Sequence, residues 1–114
     1  MKYLLVLLAV LLLTACAQKP LFYYGDTSQR YYRAVKSPDF QTVAAYKRSL
    51  EDVFAKSERK GLPVPPGLYS DYALLLLNEG DYAGARVHFE KEKALWAESA
   101  TFVDFLLSRY GLRH

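Results

Sequence analysis

The stretch of sequence that decides the fold is residues 69–97, which read YSDYALLLLNEGDYAGARVHFEKEKALWA. Residues 68–78 are apolar on nearly every side, and this pattern predicts a central, largely buried helix. Glu79-Gly80-Asp81 supplies a turn. A second helix is predicted from residue 82 to about residue 95, with its inner face formed by Tyr82, Ala85, Phe89 and Trp96. The stretch therefore predicts two helices that fold back on each other.

The same stretch resembles one tetratricopeptide repeat, a helix-turn-helix unit of about 34 residues that stacks into solenoids. The resemblance is carried by Ala73, Leu76, Gly80-Asp81-Tyr82, Ala85 and Phe89. Glu92 and Ala97 depart from the pattern, because a small residue and a proline are expected at those positions. The resemblance implies short antiparallel hairpins whose helices pack closely at Ala73 and Ala85.

Upstream of this stretch, a longer helix is predicted from Pro38 to about Lys60. Ser37 would cap it, and proline is well tolerated at the first helical position because no hydrogen bond is lost there. Gly61 is expected to end the helix in the left-handed conformation. The apolar face is predicted to contain Phe40, Val43, Tyr46, Leu50, Val53 and Phe54. Residues 62–67 contain three prolines and predict an extended connector.

Two shorter helices complete the domain. The first is expected to begin at Thr27 after a capping Asp26, with Gln29 at the capping-box position. It would end near residue 36 and bury Tyr31, Tyr32 and Val35. The last helix is expected to follow Ser99 as its cap and to bury Phe102, Val103, Leu106, Leu107 and Tyr110. No strand pattern is present, so the predicted class is all-α, with a tetratricopeptide-like domain over residues 26–114 that ends in a capping helix.

The amino-terminal segment has the order of parts found in secretory signal peptides. Lys2 provides a positive start, residues 4–13 are apolar, and Thr14-Ala15 provides the small residues of a cleavage site. A transmembrane helix is the alternative, but it needs about 20 apolar residues, roughly twice the length of this run. We therefore expect residues 1–15 to be a signal peptide.

Leu13-Thr14-Ala15-Cys16 resembles the bacterial lipobox, in which small residues precede an obligatory cysteine. The resemblance implies that Cys16 is acylated and becomes the first residue of the mature chain, with residues 16–25 as the lipidated start and tether. The alternative is an accidental thiol. Cys16 is the only cysteine, so no internal disulfide is expected. Ala17 stands where an aspartate retains lipoproteins at the inner membrane, which favours a periplasm-facing outer-membrane location.

Size and charge limit the possible functions. Removing the 15 residues of the signal peptide from the 114 of the chain leaves 99, enough for one small domain. The net charge of +3 includes Lys2, and the remaining charges of both signs are interleaved. This balance does not predict nucleic-acid binding.

No arrangement of residues predicts catalysis, a metal or another cofactor. His88 and His114 are too far apart to share a helical face, so a surface histidine is the simpler interpretation of His88 than a metal ligand or a base. Asp71, Glu79 and Asp81 cluster around one turn, where helix-surface and capping roles explain them. Glu90-Lys91-Glu92-Lys93 is interpreted as a solvated face. We therefore expect a protein that is not an enzyme.

Tyrosine is unusually frequent, with ten residues in the chain. Tyrosine combines a large contact area with a polar tip and is enriched at protein interfaces. The candidate partner-binding residues are Tyr23, Tyr24, Tyr31, Tyr32, Tyr69 and Tyr72. The alternative is that these rings line a small aromatic core.

The chain as a whole resembles an uncharacterised family of small proteobacterial lipoproteins. The resemblance is carried by the lipobox together with residues 21–25, 61–69 and 89–96. Genes of that family often neighbour a relative of the curli secretion channel, which implies an envelope protein as partner. The leading hypothesis is a lipid-anchored helical adaptor or assembly factor. The alternatives are a pilotin-like chaperone of a secretin and a peptidoglycan-binding lipoprotein.

Overall fold

The computed structural model describes residues 2–15 and 21–113, with the side chains of residues 12–15 not described. The predicted lipidation site, Cys16, and His114 lie outside the described residues. The helices are α1 (Lys2–Ala15), α2 (Thr27–Lys36), α3 (Phe40–Lys60), α4 (Leu68–Asn78), α5 (Tyr82–Leu95) and α6 (Ala100–Arg109), with a short 3₁₀ turn at Ala97–Ser99.

The prediction of an all-α class is confirmed, since the described ranges contain helices and no strand. In sequence order α2 packs on α3, α4 on α5, and α5 on α6, while α3 also contacts α4. The short turns between these pairs make them hairpins, an arrangement compatible with the tetratricopeptide-like interpretation. None of the helices in the described part of the chain has both the length and the hydropathy needed to span a bilayer.

The hydrophobic core lies where α3, α4, α5 and α6 meet. Its fully buried members include Leu50, Ala73, Ala85, Phe89 and Val103. Burial of a side chain as large as Phe89 stabilises the fold by about 1.5–3 kcal/mol. The alanines that the repeat pattern places at close helix contacts have no exposed surface, so the predicted inner faces of α4 and α5 are confirmed at Ala73, Ala85 and Phe89. Tyr82, predicted on the same face, is instead 55% exposed.

The acidic residue Glu92 is fully buried, so its interpretation as part of a solvated face is wrong. The backbone N–H of Gly67 donates to both carboxylate oxygens at 3.1 Å, and the N–H of Ser70 donates at 3.3 Å. The hydroxyl of Ser99 donates to one of the Glu92 carboxylate oxygens at 3.4 Å. Glu92 therefore supplies acceptors to the first turn of α4, where unpaired N–H groups and the helix dipole favour a negative charge.

The start of α3 differs from the prediction by two residues. The helix begins at Phe40, and Asp39 rather than Ser37 is the cap. Asp39 accepts from the N–H of Thr42 at 2.8 Å, and the Thr42 hydroxyl accepts from the N–H of Asp39 at 3.0 Å. This reciprocal capping box satisfies two donors at once, which a cap at Ser37 could not do, because Phe40 would then occupy the third helical position and has no side-chain acceptor. The predicted stop at Gly61 is confirmed, with φ at 65°.

The predicted bounds of α2 are confirmed, but its predicted burial is wrong. Tyr31, Tyr32 and Val35 are between 52% and 62% exposed, and Thr27 is the buried residue. Asp26 makes no side-chain cap with the helix and instead accepts from the Arg30 guanidinium at 2.9 Å. The reason is that α2 lies at the edge of the domain, where α3 covers one face only.

Phe40 and Phe102 were also predicted on inner faces and are also exposed. Phe40 is 89% exposed and Phe102 is 52% exposed, while Val103, Leu106 and Leu107 are buried as predicted. Tyr110 is 44% exposed. Each exposed residue lies on or beside an end helix or a helix terminus, where none of the described helices covers it.

We predict that Glu92→Gln lowers the free energy of unfolding by about 1.5–3 kcal/mol, because a charged acceptor is lost from buried N–H groups. Urea unfolding followed by circular dichroism measures the change. Glu90→Gln is the matched control, since Glu90 is exposed on the same helix. Equal stability of the two variants would contradict the assigned role of Glu92.

Candidate partner-binding surface

The six candidate tyrosines do not form one surface. Tyr72 is buried on α4, and its hydroxyl donates to Glu51 at 2.8 Å. Burial and the bond to Glu51 raise the pKa of Tyr72 to about 12. Tyr69 is half-buried and stacks on Phe54, with the ring centres 4.7 Å apart. Tyr72 therefore belongs to the aromatic interior, which was the alternative interpretation, and Tyr69 lies at its edge.

His88 completes this aromatic cluster between α3, α4 and α5. Its ring centre lies 4.6 Å from that of Tyr72 and 6.0 Å from that of Phe54. Its Nδ1 lies 2.8 Å from the carbonyl oxygen of Gly84, within hydrogen-bond distance. The ring of His88, interpreted from the sequence as a surface histidine, is therefore half-buried and packed against aromatic rings.

Tyr23 is held against the carboxyl-terminal half of α3. Its hydroxyl donates to Asp52 at 3.1 Å and accepts from Lys56 at 3.2 Å. The ammonium of Lys60 lies 4.6 Å from the centre of the ring. The hydrogen bonds with Tyr23 and Asp52 raise the pKa of Lys56 above its ordinary value. Tyr23 therefore attaches the amino-terminal segment to the domain and is half-buried.

Tyr24, Tyr31 and Tyr32 are the exposed members of the set. Tyr31 packs edge-on against Tyr46, with ring centres 5.4 Å apart, and still exposes half of its surface. Tyr32 faces solvent, with the ammonium of Lys36 5.5 Å from its ring centre. These three residues give α2 and the segment before it an aromatic outer surface.

A groove at the amino-terminal end of α3, which we name the Phe40 groove, was not predicted from the sequence. It has a volume of about 580 Å³, and it is lined by Pro38, Asp39, Phe40, Val43, Ala44, Lys47, Arg48, Glu51 and Glu79. Lys47 and Glu79 are joined across it by an ion pair of 2.8 Å. Volumes of this size are typical of ligand-binding clefts. The aromatic residue Phe40 at the start of α3 was the sequence feature that could have indicated this groove. Its helical spacing assigned it to the interior instead.

The three clustered acids each have a structural partner, and the capping role expected from the sequence is present at Asp81. Asp71 accepts from the Tyr46 hydroxyl at 2.6 Å, Glu79 pairs with Lys47, and Asp81 caps α5 through the N–H of Gly84 at 2.9 Å. Among the residues that the structure describes, no three His, Cys, Asp or Glu side chains are grouped as metal ligands.

Comparison with known proteins gives one family. A family model described as a domain of unknown function, DUF4810, matches residues 21–106. Neither a curated protein nor a solved structure matches the chain. The matched range contains α2 to α5 and most of α6, so it includes the exposed tyrosines and the Phe40 groove.

In the wild type, the free energy of unfolding is expected to fall as the pH rises through the titration of Asp71. We predict that Asp71→Asn removes this fall. Burial raises the pKa of Asp71 above its ordinary value, against the opposing effect of the Tyr46 hydrogen bond. The folded chain therefore holds the Asp71 proton to higher pH than the unfolded chain, and the free energy of unfolding falls as pH rises through that window. Unfolding measured between pH 3 and 8 should show the fall in the wild type. The free energy of unfolding of the variant should not show this fall. Parallel curves of unfolding free energy against pH for the two proteins would contradict the assignment.

Proposed function

The chain belongs to the DUF4810 family, a domain of unknown function, and we propose that it is an outer-membrane lipoprotein, anchored by lipid on Cys16, that acts as a helical adaptor in an envelope protein complex. The observation that carries the adaptor role is the Phe40 groove, with a ring 89% exposed at its edge. The lipobox supports the anchor, and the resemblance to small lipoproteins supports the location.

The composition of the groove favours a peptide segment as its occupant. The apolar members of its lining are Pro38, Phe40, Val43 and Ala44. Aromatic side chains in partly enclosed apolar pockets contribute much of the binding energy at protein interfaces. We infer that an apolar segment of another envelope protein occupies the groove.

The aromatic outer surface of α2 extends the proposed interface. Tyr32 contributes to a shallow hollow with Arg33, Lys36 and Ser37, and Ser37 immediately precedes the first groove residue, Pro38. Rigid rings of this kind add contact area at a low cost in side-chain entropy. The proposed interface therefore consists of the Phe40 groove and the neighbouring tyrosines of α2.

The proposal assigns no catalytic step to the chain. Asp71, Glu79 and Asp81 are engaged in the structural bonds described above. The His88 ring is packed among aromatic rings. The resemblance to the lipoprotein family makes a relative of the curli secretion channel the first partner to test.

We predict that Cys16→Ala prevents lipidation, because the thioether to the lipid has no other attachment point. Intact mass measurement tests this outcome. The matched control is Ser28→Ala, which changes an exposed polar residue outside the lipobox. A Cys16→Ala protein that keeps its lipid mass would contradict the anchor.

We predict that Phe40→Ala abolishes co-purification of the partner with little change in stability, because the ring is almost fully exposed. The natively lipidated protein is crosslinked in membranes, purified and examined by mass spectrometry. Phe102→Ala is the matched control, since it removes another exposed ring at a different end of the domain. Recovery of the same partner with Phe40→Ala would contradict the groove as the binding site, and recovery of peptidoglycan fragments alone would favour a cell-wall role.

A further inference from the structure

A small pocket lies between the start of α2, α3 and the start of α4, and we name it the Tyr–Asp pocket. It is lined by Tyr24, Thr27, Ser28, Tyr31, Tyr46, Leu68 and Asp71. Its volume of about 180 Å³ is below the ~300–1,000 Å³ of typical clefts for small molecules. A pocket of this size accommodates the end of one side chain rather than a whole metabolite.

Asp71 is the only charged residue of the lining, and no cation of the described residues pairs with it. Its Oδ2 accepts from the Tyr46 hydroxyl, whereas Oδ1 has no donor within the described ranges and stays accessible to solvent. Arg30, the nearest cation on α2, is paired with Asp26 instead. Burial raises the pKa of Asp71, as expected for a carboxylate partly removed from water without a cation beside it. Asp71 therefore has a charge and an acceptor oxygen to offer a ligand.

The aromatic rings of the Tyr–Asp pocket have no cation over them either. The face of an aromatic ring attracts a cation within about 6 Å of its centre. Elsewhere in the described part of the chain, the tyrosine rings that already have a lysine at such a distance are those of Tyr23, Tyr32, Tyr69 and Tyr72. Of the three rings in the pocket, Tyr46 is buried, while Tyr24 and Tyr31 are exposed. The pocket therefore combines three unoccupied rings with an unpaired carboxylate, the two kinds of group that bind a cation.

We propose that the Tyr–Asp pocket binds the ammonium group of a lysine side chain on the envelope protein partner. Because the Tyr46 hydroxyl already bonds to Oδ2, a single donor to Oδ1 suits the carboxylate better than a guanidinium, which is matched best by both oxygens. Leu68 gives the aliphatic part of a lysine an apolar contact. This inference rests on the proposed adaptor function, and it adds a lysine to the apolar segment that the Phe40 groove would take.

The test is a nuclear magnetic resonance titration of the natively lipidated protein, with isotope-labelled tyrosine rings, in a non-ionic detergent and an amine-free buffer. The probe is Nα-acetyl-lysine N-methylamide, whose only charge is the side-chain ammonium. The matched control is Nα-acetyl-norleucine N-methylamide, which has the same aliphatic chain without the ammonium. We expect saturable shifts of the Tyr24, Tyr31 and Tyr46 resonances with the lysine probe and none with the norleucine probe. The resonances of Tyr82 and Tyr110, which lie outside the pocket, should not shift.

Two substitutions test the named groups. Asp71→Asn should weaken binding of the lysine probe by about tenfold or more, because a hydrogen bond to a charged group is lost. Tyr31→Leu should weaken it by about two- to fivefold, because an aromatic face is replaced by an aliphatic side chain. The matched controls, Glu90→Gln and Tyr82→Leu, change an exposed acid and an exposed ring outside the pocket and should leave the affinity unchanged. Circular dichroism of each variant shows that the fold is retained.

The outcomes separate this inference from the adaptor function. Equal shifts with both probes, or wild-type affinity in Asp71→Asn, overturns the ammonium site while the adaptor function stands. O-phosphorylethanolamine is a further probe, and tighter binding of it than of the lysine probe overturns lysine as the occupant in favour of a lipid headgroup. Binding of the lysine probe that depends on Asp71, in a protein that recovers no partner by crosslinking, overturns the adaptor function, and the assignment of the lysine to a partner falls with it.

Discussion

The buried carboxylate of Glu92 is the interaction on which the arrangement of the helices depends. It lies on α5 and accepts hydrogen bonds from Gly67 and Ser70 at the start of α4 and from Ser99 before α6. One side chain thereby fixes the ends of three helices relative to each other. An ionised group is costly to bury without such partners. Burial of Glu92 therefore requires that the proline connector places the N–H of Gly67 within hydrogen-bond distance of the carboxylate. Gly67 meets this requirement with φ at 91°, a conformation that side chains disfavour.

Much of the fold follows from local sequence signals. The bounds of α4 and α5 were predicted because a Gly-Asp turn and a capping aspartate define them within a few residues. The burial of Glu92 could not be predicted in this way. Its partner Gly67 is 25 residues away, and a carboxylate in a run of alternating charges has the pattern of a solvated surface. The departure of Glu92 from the repeat pattern was visible in the sequence, but its reason, a hydrogen bond to a neighbouring helix start, required the structure.

The candidate site was predicted less completely than the fold. Periodicity identifies residues that share a helical face, but it does not say whether another helix covers that face. Phe40 was assigned to the interior on spacing alone, whereas Tyr31 and Tyr32 were named both as inner-face residues and as candidates for the binding surface. All three are exposed, because α2 and the start of α3 form an edge of the domain. Tyr72 shows the converse, since a candidate for the surface is buried with its hydroxyl bonded to Glu51. Cys16 rests on sequence resemblance only, because it lies outside the described residues.

The central proposal joins these features into one arrangement, with a lipid on Cys16 and a partner segment in the Phe40 groove. The most direct test is photocrosslinking in living cells, with p-benzoylphenylalanine placed at position 40 and, as comparison, at position 102. The account predicts a crosslink to one envelope protein from position 40 and none to that protein from position 102. Equal crosslinking from both positions, or none from position 40 in a strain that makes the lipidated protein, would contradict it.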